Sequence, residues 1–108
     1  MGSDRLRTPD VDALIEAFLT LREPDEVYAF LVDVCTVREI RDMAQRLAVA
    51  RMLAAGEHYA EIREATGASA TTISRVSKAL NYGEDGYRTV LERTGGAGGE
   101  RGVEGAGG

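Results

Sequence analysis

YAEIREATGASATTISRVSKAL, residues Tyr59 to Leu80, is the segment on which the fold turns. Tyr59 to Thr66 makes roughly two helical turns around Ile62. Gly67 breaks that pattern, Ala68 and Ser69 turn the chain, and Ala70 to Leu80 resumes a helical period with Ile73, Val76 and Leu80 inside. Two short helices meet across a tight glycine-containing turn, which is the plan of a helix-turn-helix. In that plan the first helix braces the second at a fixed angle. The bracing positions are an apolar residue five before the glycine and two more six and nine after it, filled here by Ile62, Ile73 and Val76. One position departs from the plan. The residue four before the glycine is usually small because it touches the second helix, and here it is Arg63, whose long side chain must turn outward. The front of the second helix carries small and hydroxyl side chains, Ser69, Ala70, Thr71, Thr72 and Ser74, with Arg75 and Lys78 further along. Such a surface suits base edges and phosphates. An ordinary helical hairpin in a bundle would show the same spacing.

Upstream, three more helices are expected. Thr8, Pro9 and Asp10 make a start signal of hydroxyl cap, proline at the first helical position and acid near the positive dipole end. Val11, Leu14, Ile15, Phe18 and Leu19 then form one apolar stripe that needs a partner. Pro24, with Asp25 and Glu26 behind it, starts a second helix whose apolar face is Val27, Phe30, Leu31 and Val34. Thr36 and Glu39 form a T-x-x-E capping box that opens a third helix, from Val37 to about Ala55. Its apolar residues exceed one face, and dimerisation is the economical way to cover them. Gly56 suits a left-handed cap. Downstream, Asn81 and Gly83 end the helix-turn-helix, and Tyr87, Val90 and Leu91 mark a brief last helix to about Arg93. The expected division is an N-terminal arm over 1–9, a helical domain over 10–93 and a flexible glycine-rich tail over 94–108.

A chain of 108 residues supports one domain with a single core. The net charge of −5 is unevenly placed: residues 1–37 carry three Arg against eight acids, 81–108 three basic against five acidic, while 38–80 carry seven basic against five acidic. The middle segment alone is positive, which fits a local phosphate-facing surface. A solvated face with Arg38–Asp42 and Asp42–Arg46 pairs would look alike. No apolar run is long enough to span a bilayer and no signal peptide is visible, so a cytoplasmic protein is expected. One His and one Cys cannot build a thiol-rich metal site within a chain, and Cys35 reads as a small, buried apolar residue. His58, beside Glu57 and three before Glu61, reads as a surface or capping residue; no nucleophile with a partnered base accompanies it, so no enzyme is expected.

From Cys35-Thr-Val-Arg-Glu-Ile-Arg-Asp-Met-Ala-Gln-Arg-Leu through AQRLAVARML, TGASATTISRV and ALNYG, the chain closely resembles the Trp repressor-like family, YerC/YecD branch, over about residues 12–93. The resemblance implies an all-α, six-helix fold in an intertwined homodimer, with double-stranded DNA as partner and transcription regulation as role. Against the Trp repressor itself, Arg46 and Arg75 match the two arginines that flank bound tryptophan, and Thr36 matches a pocket residue. Three neighbours do not match: Val76 stands where the repressor has glycine, Ala79 where it has serine and Asp33 where it has leucine. A branched side chain in the glycine's place obstructs an indole, and loss of the serine hydroxyl removes a polar partner. No tryptophan corepressor and no other cofactor are therefore expected. DNA binding is assigned to Arg63, Ser69, Ala70, Thr71, Thr72, Ser74, Arg75 and Lys78. The competing expectation, motivated by the acidic ends, is a helical protein-interaction module that leaves DNA alone.

Overall fold

A computed structural model describes residues 5–95. The expected tail beyond Gly95, and the first four residues of the expected arm, lie outside the described residues. Six helices and no strand are found among those described: α1 (Pro9–Leu19), α2 (Pro24–Val34), α3 (Val37–Ala54), α4 (Tyr59–Thr66), α5 (Ala70–Tyr82) and α6 (Gly86–Thr94). The fold is all-α, as expected. None of these helices is long and apolar enough to cross a membrane.

Local chemistry sets the helix starts. The Thr8 hydroxyl accepts from the Val11 amide at 3.2 Å, and Pro9 takes the first helical position where its missing N–H loses nothing. At α3 the capping box forms in both directions, with the Glu39 amide donating to Thr36 Oγ1 at 3.0 Å and the Thr36 amide to Glu39 Oε1 at 2.8 Å. At α2 the cap is a carboxylate. Glu26 Oε1 accepts from the backbone N–H of Arg22 at 2.8 Å and of Glu23 at 3.2 Å. Those bonds, the one from Arg22 first, hold the Glu26 carboxyl below the usual glutamate range.

Two boundaries differ from expectation by a residue or two. Helix α3 stops at Ala54, with Gly56 in the left-handed region at φ 87°. Helix α5 runs through Asn81 to Tyr82 because the Asn81 side chain donates to the Ser77 carbonyl one turn back, at 2.9 Å, and stays within the helix. Gly83 is the cap residue that ends it, and the backbone there leaves no room for a side chain: a Cβ would overlap the Ala79 carbonyl oxygen and stand 3.1 Å from its carbon.

The chain divides into two compact units with the boundary inside α3, between Ile40 and Arg41. In the second unit α5 packs against both α4 and α6. Its core is Val49, Ala50, Ile62, Ala68, Ile73, Val76, Leu80 and Leu91, all buried, flanked by half-buried Leu47, Met52, Leu53 and Tyr87. The positions assigned to bracing, Ile62, Ile73 and Val76, are all in this core. The first unit is built differently. Phe18 and Phe30 meet edge to face with ring centroids 5.2 Å apart, yet neither α1 nor α2 has a buried residue. Cys35, at the end of α2, is likewise only half-buried, short of the burial expected for it. Leu14 stays 41% exposed, Phe18 39% and Leu19 78%. Within one chain the α1 stripe is left half in water.

Candidate nucleic-acid interface

The turn between α4 and α5 is closed by its own hydrogen bonds. Gly67 caps α4 in the left-handed region (φ 75°, ψ 4°), its amide donating to the Arg63 carbonyl at 2.9 Å. Thr66 Oγ1 donates to the Ile62 carbonyl at 2.7 Å and accepts from the Ala68 amide at 3.1 Å. Ala68 is buried, so the turn is anchored in the core. Across the turn, Gln45 Nε2 of α3 donates to the Thr66 carbonyl at 3.1 Å. Gln45 is a residue that sequence reasoning misses; its one sign is an amide inside the largely apolar α3 pattern.

Ser69 then caps α5: its Oγ accepts from the Thr72 amide at 3.1 Å and donates to Thr72 Oγ1 at 3.1 Å. Because Ile73, Val76 and Leu80 face the core, the opposite side of α5 is forced outward by the 3.6-residue period. Thr71, Ser74, Arg75 and Lys78 lie there, exposed, and Tyr82 continues the same side at 85% exposure. Ala70 and Ser69 are exposed at the tip, and Thr72 is half-buried. Arg63 is exposed on α4, turned outward as expected, beside a concave depression of about 430 Å³ lined also by Ala60, Glu64, Gly67, Ala68 and Ser69. Of the residues assigned from sequence to one surface, Arg63 lies on α4 and the others run from the α5 cap along that helix, all exposed but the half-buried Thr72.

The suggested pairs Arg38–Asp42 and Asp42–Arg46 are corrected. Among the described residues the ion pair that forms is Arg7–Asp12, at 2.7 Å. An exposed pair at helical spacing gains only about 0.3–0.5 kcal/mol, which ordering two long side chains can cancel. Arg46, Arg63, Arg75 and Lys78 therefore keep their charge uncompensated by any carboxylate within salt-bridge distance among the described residues.

Arg46 and Arg75 do come together, lining with Asp42, Gln45 and Thr72 a cavity of about 180 Å³ in the second unit. Val76 is 2% exposed and points into the core. Thr36 is exposed in the first unit with its hydroxyl engaged in capping α3. His58 is the cap residue of α4, and its amide donates to Glu61 Oε1 at 3.3 Å. That bond leads the causes that hold the Glu61 carboxyl low, while a hydrogen bond to Glu61, and then its charge, push Glu57 up. These acids organise a helix start on the surface. Among the described residues no group of three His, Cys, Asp or Glu side chains could hold a metal ion.

Comparison with known proteins agrees with this geometry. The family model of the Trp repressor protein matches residues 9–95. An uncharacterized protein of Bacillus subtilis (strain 168), YerC, is 48% identical over 93 residues, covering 86% of this chain and 89% of the relative. Two solved structures superpose closely. A Staphylococcus aureus crystal structure described as a candidate Trp repressor has a TM-score of 0.83 at 44% identity, covering 88% of this chain and 95% of that one. A TrpR-like protein from Eubacterium eligens ATCC 27750 has a TM-score of 0.82 at 50% identity, covering 85% of this chain and 95% of that one. With its six helices, its glycine turn and a family match running almost the whole length of the described residues, the chain belongs to the Trp repressor family.

Proposed function

We propose that this protein is a sequence-specific DNA-binding regulator of transcription that acts as a homodimer and does not use tryptophan as corepressor. The observation that carries the reading is the outward side of α5: Thr71, Ser74, Arg75 and Lys78 are exposed together while Ile73, Val76 and Leu80 fix the helix from behind. In the proposed interface Thr71 and Ser74 meet base edges, and Arg63, Arg75 and Lys78 meet phosphates. Ser69, Ala70 and Thr72 form the tip; the mutual hydrogen bond of Ser69 and Thr72 sets its shape and leaves their remaining lone pairs for water-bridged contacts. Hydroxyls discriminate bases weakly, so DNA shape carries part of the specificity.

Dimerisation is supported by the first unit. Helices α1 and α2 have no buried residue, and short amphipathic helices gain most of their stability from packing. A second copy, intertwined with the first, supplies the missing cover. The case against tryptophan rests on Val76, buried where the resemblance has glycine, and on Ala79, which offers no hydroxyl.

Selection from a random duplex pool tests the proposal. The expected product is an inverted repeat whose half-sites are centred roughly 34 Å apart, one turn of duplex. If nothing is enriched, and no genomic fragment is retarded at low salt, the acidic first unit becomes the better guide and the chain is a protein-interaction module.

A further inference from the structure

The carbonyl of Thr66 ends α4, and as one of the last four in its helix it has no intrahelical donor. Gln45 supplies the missing one across the fold, Nε2 to oxygen at 3.1 Å and partly buried. Among the side-chain hydrogen bonds of the described residues this one stands apart. It joins positions 21 apart in sequence, while every other stays within seven. The remaining bonds of the turn, Gly67 amide to Arg63 carbonyl, Thr66 hydroxyl to Ile62 carbonyl and Ala68 amide to Thr66 hydroxyl, are local to α4 and its cap. They shape the turn, and buried Ala68 seats it on the core, but Gln45 makes the one directional bond from the turn to another helix among the described residues. Gln45 lies one helical turn before Val49 and Ala50, the fully buried residues of α3, so its backbone is held by the core. A Cβ on Gly67 would stand 4.0 Å from Gln45 Nε2, so the amide lies directly against the turn.

We infer that Gln45 is a positioning residue for the proposed DNA interface: its amide clasps the end of α4 to α3 and so fixes the place from which α5 starts. The inference rests on the proposed function and adds a residue that touches no DNA. Without the clasp the end of α4 fluctuates about its anchor at Ala68, and only the fraction in the docking arrangement can bind. The expected loss equals one net hydrogen bond per reading head, roughly fivefold, and roughly 25-fold for the two heads of a dimer.

The test uses full-length Gln45→Met, which keeps the length and removes the donor, and Gln45→Lys, which restores one. Each is titrated against a fluorescent duplex over a salt series, and the Thr66 carbonyl carbon shift is read by NMR. The expected result for Gln45→Met is a displaced Thr66 carbonyl signal, a loss of affinity on the order of 10- to 30-fold, and an unchanged salt slope because the same phosphates are still neutralised. Gln45→Lys returns the carbonyl signal and most of the affinity. Wild-type affinity in a folded Gln45→Met protein overturns the inference while leaving the proposed function standing. A lost affinity with the Thr66 carbonyl signal unmoved overturns it too, because Gln45 then acts on the duplex without touching the turn. If Gln45→Met does not fold, Gln45→Lys decides alone: a wild-type carbonyl signal with wild-type affinity supports the clasp, and wild-type affinity with that signal displaced overturns it. A wild-type protein that ignores duplex DNA overturns the proposed function, and this role falls with it.

Discussion

If the proposed homodimer forms, replacing Phe18 by alanine is expected to weaken it while leaving the second unit's core whole. Phe18 is 39% exposed in the single chain and packs edge to face on Phe30. A phenylalanine can bury roughly 200 Å², so about 80 Å² of its surface is left for a partner, worth about 2 kcal/mol at 25 cal/mol per Å². A twofold dimer counts that twice, about 4 kcal/mol, which is a dissociation constant raised roughly 500- to 1000-fold. Sedimentation equilibrium over a concentration series measures it, with thermal melts alongside, because the melting temperature of a dimer rises with protein concentration. Glu16→Ala is the control: Glu16 is exposed on the side of α1 away from the stripe, and its removal should leave association unchanged. The reasoning is refuted if wild type is monomeric at every concentration with α1 and α2 still helical, or if Phe18→Ala associates as wild type does.

Three further outcomes are expected. Gly83→Ala puts a methyl group against the Ala79 carbonyl, a backbone neighbour that cannot rotate away, and should destabilise by about 1–3 kcal/mol; Gly56→Ala, with nothing within 4 Å, meets only the strain of its left-handed backbone, about 1–2 kcal/mol. Comparing the two by denaturant unfolding separates collision from strain, and equal stability of wild type and Gly83→Ala contradicts the steric account. The α2 cap is acid-sensitive. The folded Glu26 carboxyl titrates below its ordinary range, so its contribution is complete above the unfolded glutamate value and is lost as pH falls through the lowered one; a carboxyl signal followed by NMR that titrates at the ordinary value removes the cap. Calorimetry with L-tryptophan should show no saturable heat, and micromolar binding would overturn the reading of Val76.

Helix boundaries are legible in the sequence where they rest on local chemistry: a proline after a cap at the start of α1, the two-way box of Thr36 and Glu39 at the start of α3, a glycine that takes φ 75° at Gly67 to end α4. The bracing residues are legible for the same reason, since a 3.6-residue period names the inner side of α5 without knowledge of its neighbours. Legibility fails where the outcome depends on a side chain choosing between partners. Asn81 looks like a helix breaker but bonds back to Ser77, and the Arg–Asp pairs of α3 have the right spacing but no energetic need to close. Gln45 is invisible because its partner is a backbone carbonyl 21 positions away, which no periodicity encodes. The α1 stripe announces that it needs cover, but a single chain's sequence says nothing of how a second one would supply it.

Binding of the wild-type protein to duplex DNA, measured by anisotropy across a salt series, tests the central claim most directly. The expected result is an affinity that falls linearly in log–log form with added salt, and a slope reduced by about 1.8 in Arg75→Ala, because each subunit then neutralises one phosphate fewer, at about 0.9 apiece. No binding at the lowest salt, or binding whose strength and salt slope ignore Arg75, contradicts it.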